Sequence, residues 1–270
     1  MFLLIVVRKK LKLGSGPGPV VHTTFPRTHY SFPSVALDPT EGNVKPFLPM
    51  KSAITSNNDV NNVPTLGKIL PIVADKEWIQ RLCQYDEITD VQLRIKGEDD
   101  NEKIDQIVKE CQEICKSNHV RLWINDYWQA AVKAKCFGVH VGQEDLGRCI
   151  DDGGLDVIRE NGMALGISTH SYAELSAAFG INPSYISLGP VFGTKSKNVA
   201  FDPQGLETVR KWKELIHPNI PLVAIGGIND AETVAQVKEA GADCVAVISA
   251  ITKADDPAKA AAQLNSAMQN

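Results

Sequence analysis

Gln92-Leu93-Arg94-Ile95-Lys96 has the pattern of a β-strand with one polar face. Side chains alternate across a strand, so Gln92, Arg94 and Lys96 share one side and Leu93 and Ile95 the other. Asp90-Val91 precede the run, and Gly97-Glu98-Asp99-Asp100 end it. A strand inside an α/β protein ordinarily carries apolar groups on both faces. Burying two unpaired cations there would be strongly unfavourable. Either this face lines a pocket that binds an anion, or the strand lies at a sheet edge with the face in water.

The chain around it repeats a simple unit from Lys68 onward. β-Branched runs occur at Ile69–Ala74, Val91–Lys96, Arg121–Asn125, Gly138–Val141, Ala164–Ser168, Tyr185–Val191, Leu222–Ile225 and Cys244–Ile248. Helical patterns separate them, as at Glu77–Tyr85, Asn101–Lys116, Leu206–Leu215 and Ala231–Ala240. Repeated βα units imply a parallel sheet with right-handed crossovers. Eight of them in about 200 residues predict an α/β fold of the (β/α)8 TIM-barrel type. A doubly wound open sheet is the alternative, although no Gly-x-Gly-x-x-Gly follows the first strand.

Barrel enzymes place their chemistry at the C-terminal ends of the strands. The polar residues of this chain gather there. Lys96, Asn125-Asp126, Gly142-Gln143-Glu144-Asp145, Ser168-Thr169-His170, Gly193-Thr194-Lys195-Ser196-Lys197, Gly226-Gly227 and Ser249 each end or follow a strand. Scattered solvation would not produce this clustering, so the pocket is preferred over the edge strand. Asp126 and Asp145 are carboxylates at the ends of neighbouring strands and suit Mg²⁺; Asp145 alone would also suit a helix N-cap. Glu144 is a further possible ligand. Gly226-Gly227 and Ser249 fall where many barrels bind a phosphate through backbone N–H groups. Two anionic groups at one mouth point to a transferase joining two phosphorylated small molecules. Thr194, Ser196 and Lys197 lie on a loop between the two sites, or on a polar surface loop. His140, mid-strand, is expected to pack the lumen, and His170 lies nearer the mouth. No Ser/His/Asp or Cys/His nucleophile set is evident.

The 270 residues carry a net charge of −4, with 43% hydrophobic and 22% charged residues. That balance argues against a general nucleic-acid binder. No apolar run spans a membrane. Met1-Phe2-Leu3-Leu4-Ile5-Val6-Val7 precedes Arg8-Lys9-Lys10, the reverse of a secretory signal. None of the six cysteines forms a C-x-x-C pair or a zinc-spaced cluster. A reducing compartment fits, and Cys111 and Cys115 are expected as small half-buried side chains. Residues 1–64 are rich in proline, glycine and asparagine, with no acidic residue before Asp38. They are expected to be a mostly irregular or disordered extension before a barrel over residues 65–270. Such a basic, acid-poor segment could be an organelle transit peptide, for instance to a plastid; otherwise a cytoplasmic location is expected. A homo-oligomer remains open.

Taken together, these segments resemble the thiamine-phosphate synthase (thiamine-phosphate pyrophosphorylase) family from about Leu66 to the C-terminus. The resemblance rests on Gln92–Lys96, Ile124-Asn125-Asp126, Gly138–Leu146, Gly166–His170, Gly189-Pro190-Val191-Phe192 with Thr194–Lys197, Ala224–Ile228 and Ala246–Ile251. It implies a barrel that joins 4-amino-5-hydroxymethyl-2-methylpyrimidine diphosphate to 4-methyl-5-(2-hydroxyethyl)thiazole phosphate. Thiamine phosphate and pyrophosphate would be released, with Mg²⁺ as cofactor. It also implies that Gln92, Leu93, Arg94, Ile95, Lys96, Asn125, Ser168 and Lys197 bind the pyrimidine diphosphate. Asp126 and Asp145 would hold Mg²⁺. Thr194, Lys195, Ser196, Gly227, Ile248 and Ser249 would surround the thiazole phosphate, and Arg94, Lys96 and Lys197 would serve catalysis. Pyrophosphate would leave first, and the thiazole nitrogen would capture the pyrimidine-methyl cation. Ser196 departs from the family's usual threonine but keeps the hydroxyl. The extension is too short for the pyrimidine kinase domain fused to some relatives, so synthase activity alone is expected. A related thiazole tautomerase or a silent regulatory barrel would be expected to lose the diphosphate or metal residues, which this chain keeps.

Overall fold

Strands and helices alternate along the chain in the computed structural model, which describes residues 45–52, 63–194 and 202–269. In order they are β1 (Ile69–Val73), α1 (Lys76–Leu82), β2 (Asp90–Leu93), α2 (Asn101–Ser117), β3 (Arg121–Asn125) and α3 (Trp128–Ala134). Then come β4 (Gly138–Val141), α4 (Gln143–Asp151), α5 (Gly154–Glu160), β5 (Ala164–Thr169), α6 (Tyr172–Ile181) and β6 (Tyr185–Leu188). The last elements are α7 (Gly205–Leu215), β7 (Leu222–Ile225), α8 (Ala231–Glu239), β8 (Cys244–Val247), α9 (Ser249–Thr252) and α10 (Pro257–Ala267). Every strand pairs in parallel with the next, and β8 pairs with β1, so the sheet is a closed barrel. Closure removes both the edge-strand alternative for β2 and the open-sheet alternative for the whole chain.

Local chemistry sets the helix boundaries. The Asp100 carboxylate accepts from the N–H groups of Glu102 and Lys103 and starts α2. Ile104, Val108, Cys111 and Cys115 then form the stripe that α2 buries against the sheet. Ser171 caps α6, Asp230 and Thr233 form a capping box on α8, and Asp256 caps α10 just ahead of Pro257. A layer of Leu, Ile and Val side chains fills the space between strands and helices. All six cysteines are free and buried; Cys111 and Cys115 are fully buried rather than half-exposed. Burial pushes the Cys111 and Cys136 thiols up to about 12, which keeps them protonated and inert. Among the described residues no helix is long and apolar enough to cross a membrane.

The polar strand is shorter than its sequence pattern suggests. β2 stops at Leu93 instead of continuing to Lys96. The Arg94 N–H still donates to the Val73 carbonyl, the last residue of β1. Beyond that point β1 turns into the Asp75 cap of α1 and offers no further partner. Gly97, at φ 68°, then reverses the chain. Likewise β6 ends at Leu188, although the Val191 N–H goes on to meet the Ile225 carbonyl.

The lumen is filled in registered rows. Asp90, at the base of β2, is fully buried and accepts from Arg121 and from the indole N–H of Trp123. Residues 45–52 close this N-terminal end from below. Phe47 and Met50 are buried, the Leu48 N–H donates to the Met163 carbonyl, and the Ser184 hydroxyl donates to the Leu48 carbonyl. The Arg159 guanidinium lies 4.3 Å over the Phe47 ring. Among the described residues these contacts cover the N-terminal end of the barrel and leave the polar strand ends at the other.

Candidate active site

Pairing register brings the polar side chains together. Asn125 lies beside His140, His140 beside Gly166, Gly166 beside Tyr185, and Ser168 beside Ser187. All share the parity that points into the lumen. Gln92, two residues above Asp90 on β2, shares it as well. A cavity of about 110 Å³ opens above this row, with Gln92, Arg94, Asn125, His140, Ser168, His170 and Tyr185 among its walls. Thr194, Gly226 and Ile248 line it from the segments that follow β6, β7 and β8. Six of the expected binding residues, Gln92, Arg94, Asn125, Ser168, Thr194 and Ile248, therefore meet at one cavity.

The other expected residues that are described do not line this cavity. Leu93 is fully buried between sheet and helices and Ile95 packs against that layer, so their side chains face away from the lumen. Lys96 is exposed above the strand end. Asp126 takes φ 65°, and its N–H donates to the His140 carbonyl. That left-handed turn swings its carboxylate toward β4, where it accepts from the Gly142 N–H at 3.0 Å and from the Asn125 amide. Asp145 sits in the first turn of α4, behind a Gly142 cap that has no side chain, so the N-cap alternative does not hold. Arg148 approaches the Asp145 carboxylate at 3.8 Å from an exposed position. Burial pushes the Tyr127 hydroxyl up, and the charges of Asp99, Asp126, Asp145 and Glu98 push it further, which marks a concentration of negative charge on this rim. Tyr127 also donates to the Glu98 carbonyl, tying the loop that carries Lys96 to the loop that carries Asp126.

On the opposite rim Gly226 and Gly227 have φ 99° and 71°. A Cβ on Gly226 would lie 2.6 Å from Pro190 Cα, and one on Gly227 would lie 2.7 Å from the Gly193 carbonyl oxygen. The glycines thus let the segment after β6 lie directly on the end of β7. Asn229 donates to the Gly227 carbonyl and meets the Ser249 hydroxyl at 3.4 Å, joining the β7 and β8 loops. Lys195, Ser196 and Lys197 lie outside the described residues.

The chain as a whole is similar to known proteins. The sequence profile described as thiamine monophosphate synthase matches residues 71–251. The chain belongs to that family. Thiamine-phosphate synthase of Proteus mirabilis is 43% identical over 195 residues, covering 72% of this chain and 87% of the relative. That of Yersinia pseudotuberculosis is 44% identical over 196 residues, covering 73% and 87%. Among solved structures, thiamine phosphate pyrophosphorylase from Pyrococcus furiosus superposes with a TM-score of 0.63 at 27% identity, covering 75% of this chain and 96% of that one. A 3-hexulose-6-phosphate synthase at 16% identity and TM-score 0.53, covering 74% and 99%, shares the fold alone.

The donor set on the acidic rim can be tested against the metal that the thiamine monophosphate synthase family implies. Among the described residues no three His, Cys, Asp or Glu side chains group into a metal cage. Asp126 and Asp145 offer hard oxygen donors only, too few to enclose an ion. That suits Mg²⁺, which commonly takes one or two carboxylates and completes its shell with phosphate and water.

Three residues at the mouth were given no role by the sequence reading, although Gln143 was named among the polar residues there. Gln143 donates through its amide to the Ser168 carbonyl at 2.5 Å and pins the end of β5. Asn229 links the loops after β7 and β8. Tyr185 closes the lumen beneath the cavity. For Tyr185 the signal existed, since Tyr185 and Ser187 alternate with apolar neighbours as Gln92 and Arg94 do.

Proposed function

We propose that thiamine phosphate is assembled in the mouth of this barrel, with the pyrimidine diphosphate against β2 to β5 and the thiazole phosphate against the loops after β7 and β8. The chain is a thiamine-phosphate synthase-type transferase of thiamine biosynthesis, and its substrates are phosphorylated small molecules. The residue assignment and the chemical route are inferred. The convergence of Gln92, Arg94, Asn125 and Ser168 on one cavity, with the Asp126 carboxylate bonded to the Asn125 amide at its edge, carries the inference.

Gln92 and Asn125 supply amides that can orient the pyrimidine, and the Ser168 hydroxyl faces the same space. Arg94 offers a planar fork of donors for diphosphate oxygens. Lys96, on the exposed rim, and Lys197 add charge where the diphosphate departs. Mg²⁺ held by Asp126 and Asp145 would supply further positive charge to the leaving diphosphate. The bond to the diphosphate breaks first, and the thiazole nitrogen then attacks the pyrimidine-methyl carbon. The enzyme need only stabilise the leaving anion and hold the partner in line, so this route calls for no covalent nucleophile.

Purified chain supplied with both substrates and Mg²⁺ should release pyrophosphate and form thiamine phosphate in equal amounts. Asp126→Ala should abolish release while the circular dichroism spectrum stays that of the folded barrel. Unchanged turnover in Asp126→Ala would remove the metal assignment, and no pyrophosphate from the unaltered chain would remove the function.

A further inference from the structure

A line of polar groups crosses the closed lumen from β2 through β6 and β4 to β5. The Tyr185 hydroxyl meets Gln92 and lies 2.8 Å from Nδ1 of His140. The other ring nitrogen, Nε2, lies 2.9 Å from the Ser168 hydroxyl. Tyr185 is fully buried, with its ring stacked on the His140 ring at 5.6 Å and edge-on to Trp123 at 5.0 Å. Gly166 stands between Tyr185 and His140 in the pairing register, and having no side chain it lets the tyrosine ring pass.

A neutral imidazole has one N–H, so such a chain can run in two directions. In one, Tyr185 donates to Nδ1, the Nε2–H donates to the Ser168 oxygen, and the serine proton is left for the cavity. In the other, Nδ1–H donates to Tyr185, serine donates to Nε2, and only serine lone pairs face the cavity. Arg94 lies in the same cavity wall, and an anion held there gains from every added donor. Burial pushes the Tyr185 hydroxyl well above its usual range, so it keeps a proton to donate.

We propose that Tyr185 is a positioning residue, which acts through His140 to hold the Ser168 hydroxyl as a hydrogen-bond donor toward the bound diphosphate. The direction of the relay rests on the diphosphate occupying this cavity, whereas the relay itself is a property of the free protein. Long-range ¹H–¹⁵N spectra of the full chain report which imidazole nitrogen carries hydrogen, and His140→Gln identifies the resonance. His140 should be neutral and protonated at Nε2. It should keep that tautomer in Ser168→Ala, because the tyrosine sets it, and lose it in Tyr185→Phe. Tyr185→Phe retains the ring packing and should lower kcat roughly tenfold, with KM for the pyrimidine diphosphate little changed. An Nδ1–H or doubly protonated His140 in the unaltered chain would overturn the proposal, as would Tyr185→Phe with full kcat. Calorimetry with inorganic pyrophosphate and Mg²⁺ separates the two inferences. An Nε2–H tautomer without pyrophosphate binding would keep the relay and remove the diphosphate from this cavity.

Discussion

Gly166 shows how much one missing side chain decides. A Cβ at this position would lie 2.2 Å from the Tyr185 ring carbon that carries the hydroxyl, and 2.6 Å from the hydroxyl itself. The ring is wedged between His140 and Trp123 and cannot yield without losing one of them. Gly166→Ala should therefore cost about 1–3 kcal/mol of stability by overpacking. It should also lower pyrophosphate release by displacing Tyr185. Urea unfolding followed by Trp fluorescence, together with the release assay, measures both effects; a fully stable and fully active variant would show that the lumen repacks freely. The need for glycine here could not be read from the sequence. Gly166 is one residue in a β-branched run, and only the barrel register sets it beside Tyr185. The polar parity of Gln92 and Arg94 was legible because it breaks the apolar pattern expected of a parallel sheet.

Among the elements, strand identity was legible and strand ends were not. Composition marks Val91–Lys96 as extended, but pairing stops where the neighbour stops, and that information lies in β1. The consequence is positional, since Lys96 stands exposed above the strand end instead of along the lumen wall. Helix starts were easier to place because their caps are local, and α6 carries such a start beside the site. Its Glu174 accepts from both the backbone N–H and the ring of His170, which lines the cavity. Burial pushes the Glu174 carboxyl up, but the hydrogen bonds and charge of His170, with the Ser171 N–H, outweigh it and lower the carboxyl below its ordinary value of 4.5. A carboxyl depressed by folding stabilises the protein above its unfolded value, and that contribution fades as pH falls through the folded one. The unaltered chain should thus be more stable than Glu174→Gln at pH 7, and the gap should close as pH drops below 4.5. Urea midpoints of the two proteins across this range check it; a gap independent of pH would mean the contact contributes by shape alone.

For the whole molecule, the eightfold repeat was legible because each βα unit announces itself, whereas closure, weighed against an open sheet, is decided by the pairing of β8 with β1. What the repeat could not reveal is how the lower end is sealed, since the seal comes from residues 45–52, which lack any repeating pattern. Phe47 joins the helix-side core beneath Arg159, and Met50 enters the lumen cluster with Leu66, Leu70 and Trp123. The same Trp123 packs edge-on against Tyr185, so the floor and the cavity share one column of side chains. Phe47→Ala leaves that column intact and should cost about 3 kcal/mol, the low end for removing a buried aromatic ring. Met50→Ala removes a side chain from the column and should cost about 2 kcal/mol. The two substitutions should differ in their effect on catalysis. Phe47→Ala should keep its kcat at temperatures where it remains folded, whereas Met50→Ala should lower kcat as Trp123 and Tyr185 settle into the vacated space. Thermal unfolding and steady-state kinetics on both variants measure the contrast. Equal kcat in the two would mean that the floor supports only the fold and transmits nothing to the mouth.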